Sequence, residues 1–150
     1  MITEHPSKIK FLKRSFFQRI LGKCVTSLPA DPGCWTYSEG VVTLDLQRAP
    51  ELSKPGAALR IEGEGLPKRV LLVHGDDGQY HAFCNQCSHG GRRLDPVAET
   101  GTVQCCSVGK STFTYEGRLV FGSAKKDIAA FPLREEDRKL LIDLPNPIAQ

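Results

Sequence analysis

Four of the chain's six cysteines fall between Cys84 and Cys106, in two short runs, the first of which follows an apolar stretch of strand character. Tyr80-His81-Ala82-Phe83 leads into Cys84-Asn85-Gln86-Cys87-Ser88-His89-Gly90-Gly91. Val103-Gln104 leads into Cys105-Cys106-Ser107-Val108-Gly109-Lys110. A disulfide framework spreads its cysteines along the chain, and no secretory signal is visible, so metal or redox chemistry is the better reading of these four.

The rest of the sequence agrees with strands joined by turns. Fourteen glycines and ten prolines in 150 residues point to a turn-rich β fold rather than a helical bundle. Val41–Leu46 alternates weakly, Ala57–Ile61 is apolar, and Val70-Leu71-Leu72-Val73 reads as a buried strand. Gly75-Asp76-Asp77-Gly78 then turns the chain back into Tyr80–Phe83 as a hairpin. Ser111–Tyr115 and Arg118–Phe121 flank Glu116-Gly117 as a second hairpin, and Leu140–Leu144 closes the domain before Pro145 and Pro147. The fold class expected is all-β, a small antiparallel sandwich or barrel.

The N-terminal segment differs. Ile9, Leu12, Phe16 and Ile20 recur at helical spacing, with Phe17 and Leu21 widening the face and Gly22 as a stop, which predicts a short amphipathic helix over 8–22. Six basic residues against Glu4 give residues 1–23 a net charge of +5, so with +3 for the whole chain the remainder carries −2. Nucleic acid is excluded as a partner for the body of the protein, and only this helix is a candidate for an acidic partner or a membrane surface. Lys13-Arg14-Ser15-Phe16-Phe17 faintly resembles an export signal, but Arg19 and Lys23 interrupt the apolar region that would have to follow. No apolar run reaches the roughly 18–20 residues of a membrane span. The expected setting is cytoplasmic, with residues 1–36 as basic helix and Pro/Gly-rich connector and 37–150 as the β domain. Cys24 and Cys34 are then free thiols, although they could pair.

The cysteine runs carry a resemblance. Cys87-x-His89 followed by Gly90 and Leu94, then Cys105-Cys106-x-x-Gly109 with Phe113, Gly117 and Phe131-Pro132-Leu133 downstream, resembles the two cluster-binding loops of Rieske-type [2Fe–2S] proteins over roughly residues 40–144. The resemblance implies loops at about 84–94 and 105–113 clamping a [2Fe–2S] cluster. In such a centre two thiolates hold one iron and two imidazoles the other, and the neutral ligands raise the potential to roughly −150 to +300 mV. It implies a small soluble electron carrier, or the electron-transfer subunit of an oxygenase-type system, with a reductase or oxygenase as redox partner. The high-potential Rieske proteins of respiratory complexes add a stapling cysteine to each loop, where this chain has Arg92 and Ser107, so the closer likeness is to the ferredoxin-like and dioxygenase branch.

One ligand is missing. If Cys105 is the second-loop ligand, the histidine position is Val108; if Cys106 is, it is Gly109, and neither side chain has a lone pair. Three readings stay open: a cluster on Cys87, His89, Cys105 and Cys106, in which a third thiolate lowers the potential; the same fold without a cluster, as an interaction module; or zinc on Cys84, Cys87, Cys105 and Cys106, since Cys84-x-x-Cys87 has knuckle spacing. Adjacent cysteines on one cluster need an awkward backbone. Ser111 and Thr112 are candidates to donate hydrogen bonds to a cluster sulfur. His74 and His81 read as ordinary strand histidines and His5 as part of a tail. Arg92-Arg93 reads as a docking patch for an acidic partner or as a solvated pair. No further His/carboxylate iron triad appears, so catalysis by this chain alone is not expected.

Overall fold

The computed structural model describes residues 24–145 apart from Glu64, His89, Gly90 and Val108; the helix expected over 8–22 lies outside them. The described chain forms strands β1 (Trp35–Ser38), β2 (Val41–Asp45), β3 (Ala58–Ile61), β4 (Val70–His74), β5 (Tyr80–Cys84), β6 (Leu94–Val97), β7 (Thr102–Cys105), β8 (Thr112–Thr114), β9 (Leu119–Phe121), β10 (Ala130–Phe131), β11 (Leu133–Glu136) and β12 (Lys139–Asp143). Helical segments among the described residues are 3-10 turns such as Pro32–Cys34 and Pro50–Leu52, each opened by a proline whose missing N–H is no loss there.

The strands build three four-stranded antiparallel sheets, ordered β1-β2-β12-β11, β10-β5-β4-β3 and β6-β7-β8-β9. The middle sheet is covered on both faces, and strand alternation shows how. In β4, Val70 and Leu72 pack with Val42, Leu44, Leu140 and Ile142 of the first sheet. Leu71 and Val73 point the other way, to Phe83, Leu94, Val103, Cys105 and Phe113. A strand buried on both faces has no polar side, which is why Val70-Leu71-Leu72-Val73 is apolar without interruption. The central strands of the first sheet, β2 and β12, show the half-buried pattern, with alternate residues inside. Each fully buried Leu or Val contributes about 1.5–3 kcal/mol.

The elements read from the sequence fall within a residue or two of these bounds. Strands β1, β6 and β7 lie outside the elements read from the sequence, and the single strand that the resemblance implies at Phe131-Pro132-Leu133 is divided at Pro132 between β10 and β11. In β6, Pro96 pairs with Val103, and it is tolerated because β6 is the edge of its sheet. At the Glu116-Gly117 turn, Gly117 has φ +87°, and a Cβ there would press into the Ile128 carbonyl; no other residue meets both demands.

Candidate metal centre

The third sheet carries the second cysteine run, and the end of β5 carries the first. After Cys84 the chain tightens at once: Gln86 N–H donates to the Cys84 carbonyl (2.7 Å), and Asn85 N–H to the Arg69 carbonyl (2.9 Å). The Arg69 guanidinium answers by donating to the Asn85 and Gly91 carbonyls at 3.1 and 2.7 Å, so one cation holds both ends of the loop. Cys87 N–H donates to the Arg92 carbonyl and Gly91 N–H to the Cys87 carbonyl, with Gly91 at φ +74°. Asn85 Oδ1 caps the exit by accepting from Leu94 N–H (2.8 Å).

The second loop is fastened to the first through β6. Leu94 pairs with Cys105, Cys105 N–H donates to the Ser111 carbonyl (2.7 Å), and Cys106 N–H donates to the Arg93 carbonyl (3.0 Å). Both loops thus lie side by side at the Leu94–Cys105 end of the third sheet.

Cys87 and Cys105 meet there. Both belong to the buried cluster around Phe83 and Phe113. The Cys87 thiol hydrogen-bonds the Cys105 sulfur, and this contact, with the Ser107 hydroxyl and backbone N–H and the charge of Arg92, pulls the Cys105 thiol down to about 6 against the opposing effect of burial. The Ser107 hydroxyl lies 3.1 Å from Cys105 Sγ. A thiol shifted this far is a thiolate at neutral pH, the form that ligates metal.

Cys106 faces the other way. Adjacent residues at a strand end project to opposite faces, and Cys106 donates from Sγ to Asp95 Oδ2 at 3.3 Å, with Cys24 as its second neighbour. The hydrogen bond between the two thiols acts oppositely on them: Cys24 is lowered to about 7, while Cys106 is raised by that contact, by burial and by the Asp95 charge. Cys84, at the end of β5, packs on the first-sheet core, away from Cys87. The four thiols of the zinc reading therefore do not converge. Of the residues expected to share one cluster, Cys87 and Cys105 are brought together and Cys106 is set apart; His89 and Val108 lie outside the described residues. A side chain at Gly109, the alternative histidine position, would collide with the Ser123 hydroxyl.

The other candidates have other partners. Ser111 Oγ accepts from Ala124 N–H (2.9 Å), and the Thr112 hydroxyl donates to the Lys110 carbonyl (2.9 Å) while accepting from Gln104 Nε2. His74 Nδ1 is 2.7 Å from the Leu52 carbonyl, and His81 pairs with Asp77 and stacks on Tyr115. Arg93 is bonded to Glu62 at 2.6 and 3.0 Å, so only Arg92 of the basic pair could serve a partner. Sequence reasoning missed Ser107 and Asp95. A hydroxyl two residues beyond a candidate ligand, and a lone acid between Leu94 and Pro96, were the signals available.

Residues 44–132 match the family model of the Rieske [2Fe-2S] domain. The chain belongs to that family. Over 68 residues it is 40% identical to the glycine betaine monooxygenase oxygenase subunit of Pseudomonas aeruginosa, a match covering 44% of this chain and 15% of that one. It thus spans a small fraction of the oxygenase subunit. Among solved structures it resembles the ferredoxin of carbazole 1,9a-dioxygenase from Nocardioides aromaticivorans (TM-score 0.54, 20% identity, 63% of this chain and 93% of that one). It also resembles dicamba monooxygenase (TM-score 0.52, 22% identity, 65% and 32%). At these identities the structures establish a shared Rieske fold. The family's cofactor is a [2Fe–2S] cluster, and the donors fit it on the thiolate side, where Cys87 and Cys105 from two adjoining loops meet in a buried contact. Among the described residues no helix is long and apolar enough to cross a membrane.

Proposed function

We propose that this Rieske-family protein is a small electron carrier or the electron-transfer component of an oxygenase-type system, with Cys87 and Cys105 on one iron and His89 on the other. The observation that carries this reading is the meeting of the Cys87 and Cys105 thiols across two loops fastened side by side at one end of the third sheet. In this register the position left without a donor is Val108, and Cys106 is not a ligand. When bound, the cluster supplies one-electron transfer. The chain's part is to hold two thiolates in a dry pocket, with Ser107 as hydrogen-bond partner of Cys105 and Arg92 adding positive charge nearby. Both groups stabilise negative charge on sulfur.

The partner would be a reductase or oxygenase component, in keeping with the oxygenase subunit and dioxygenase ferredoxin it resembles. The setting we propose is the cytoplasm, since the loop positions of the stapling cysteines hold Arg92 and Ser107. The valine at 108 favours a second reading, a cluster-free interaction module on the same fold. Protein purified anaerobically with iron supplied separates them: absorption between about 400 and 600 nm with about two irons and two sulfides per chain is expected. Colourless, iron-free protein from that preparation would sink the electron-carrier reading.

A further inference from the structure

The segment entering the domain is pinned over β6 by a buried acid. Asp95 accepts from Val25 N–H and Thr26 N–H at 2.9 Å each and from the Thr26 hydroxyl at 2.5 Å. Arg60 adds bonds from its N–H to the Ser27 carbonyl and from Nε to the Thr26 carbonyl at 2.9 and 2.7 Å. This anchoring fixes Cys24 beside Cys106: the two Sγ atoms and a carboxylate oxygen of Asp95 all lie within 4.8 Å of one another. Cys106 is wholly buried and Cys24 half-buried.

Two chemistries suit two thiols and a carboxylate. A structural zinc site takes four donors, and among the described residues three come together here, with Asp95 already accepting from Val25, Thr26 and Cys106. A disulfide needs only the sulfurs, which must close to about 2.05 Å by side-chain rotation. We infer that Cys24 and Cys106 are a reversible dithiol–disulfide pair, oxidised by low-molecular-weight disulfides such as oxidised glutathione, that locks the entering segment onto the second cluster loop.

The reaction takes two exchanges. The half-exposed Cys24 sulfur attacks oxidised glutathione; the glutathione S–S bond breaks, a mixed disulfide forms, and one glutathione leaves as thiol with the Cys24 proton. The Cys106 sulfur then attacks Cys24 Sγ, the Cys24–Cys106 bond forms, and the second glutathione leaves as thiol with the Cys106 proton. Two electrons pass from the two protein thiols to one glutathione disulfide. Asp95, which already accepts the Cys106 S–H hydrogen, takes that proton as the sulfur attacks, and the proton leaves with the second glutathione. Once closed, the bond ties residue 24 to the neighbour of Cys105 and constrains the unfolded chain.

This inference stands apart from the cluster reading, because neither sulfur is a proposed iron ligand, and its readout does not depend on iron. The full chain, reduced and then equilibrated anaerobically with oxidised glutathione, is blocked with N-ethylmaleimide and mapped by peptide mass spectrometry. The expected product is a Cys24–Cys106 cross-linked peptide, two hydrogens lighter than its parts, reversed by dithiothreitol and absent in Cys24→Ser. A thermal midpoint higher by about 5 °C or more accompanies it. Any of three results overturns the pair: maleimide on both cysteines after oxidation, Cys106 linked to Cys105 or Cys87, or a stable glutathione adduct on Cys24 with Cys106 still free. So would a divalent ion in the native mass spectrum that Cys24→Ser removes.

Discussion

Cys105 and Cys106 are neighbours in sequence and differ in almost everything else. Each touches another thiol, Cys87 and Cys24 respectively. Beside Cys105 the further groups are the Ser107 hydroxyl and the Arg92 cation, which favour the thiolate. Beside Cys106 stands the Asp95 carboxylate, which favours the protonated thiol and uses its hydrogen. The same side chain is thus held toward the thiolate on one face of the sheet and as a hydrogen-bond donor on the other. The thiol–thiol contact is the largest influence at each, lowering Cys105 and raising Cys106, and the neighbouring charge acts in the same direction as that contact.

The contrast breaks first at the ligands themselves. Cys105→Ser removes a proposed iron ligand, and the expected result is loss of essentially all iron and visible absorption. Cys106→Ser keeps a hydroxyl that can donate to Asp95, so spectrum and iron content should be retained with a stability loss of about 1 kcal/mol. Metal analysis and absorption of the two variants decide the matter. The reverse pattern, with Cys106 required and Cys105 dispensable, would reject the ligand register argued above.

Next in size is the effect of restoring the missing donor. Val108→His supplies an imidazole at the position that Cys105 leaves open. Neutral nitrogen ligation moves Rieske centres from the region of −400 mV toward roughly −150 mV or above, so a rise of the order of 100 mV or more is expected, with tighter iron retention. Redox titration followed by optical absorption measures it. An unchanged potential and iron content would show that residue 108 is not at the cluster.

How much of this could be read from the chain follows from the range of each signal. Val70–Val73 was legible because a strand buried on both faces leaves an unbroken apolar run, and the Glu116-Gly117 turn because a positive φ demands glycine. Strand β6 was not, since Asp95 and Pro96 spoil its pattern and only its place at a sheet edge excuses them. Strand β1 was hidden because Trp35–Ser38 follows directly on a Pro/Gly connector. Within the site, Cys87-x-His89 was legible as a local motif. The choice between Cys105 and Cys106 was not, because Gly109 falls in register with the first while Phe113 and Gly117 fit the second better. The register proposed above rests on strand alternation, which needs the end of β7 to be known. The approach of Cys24 to Cys106 has no sequence signature, since the contact is made through Asp95 and the fold alone brings the three together.

A third effect tests the acid that separates the two faces. Asp95→Asn leaves one acceptor oxygen where the carboxylate had two, and turns an amide NH2 toward the N–H groups of Val25 and Thr26 or the Cys106 thiol. A buried site losing charge-assisted hydrogen bonds in this way should cost about 2–3 kcal/mol, read as a lower midpoint in urea with an unchanged slope. The variant's Cys106, freed of the carboxylate, should also react faster with maleimide. A cost below about 0.5 kcal/mol would mean that Asp95 does not anchor the entering segment.

The smallest effect lies on the other face. In metal-free protein Cys105 is lowered to about 6, so its alkylation by iodoacetamide should rise through about pH 6, where an ordinary thiol with pKa near 8.5 is still unreactive. The sign follows from the thiolate being the nucleophile: more of it is present above the pKa, and a lower pKa moves the rise to lower pH. Ser107→Ala removes the hydroxyl 3.1 Å from the sulfur. Losing a donor to the charged form raises the pKa again, so the alkylation midpoint should move up by about half a unit to one unit, since one unit is about 1.4 kcal/mol, the size of one such hydrogen bond. In the cluster-bound protein the same deletion should lower the potential, because hydrogen bonds to sulfur stabilise the more negative, reduced state. A midpoint that stays near 6 in Ser107→Ala would assign the shift to the Cys87 thiol, the residue 107 backbone N–H and Arg92, and the contrast between the two cysteines would then not rest on the hydroxyl.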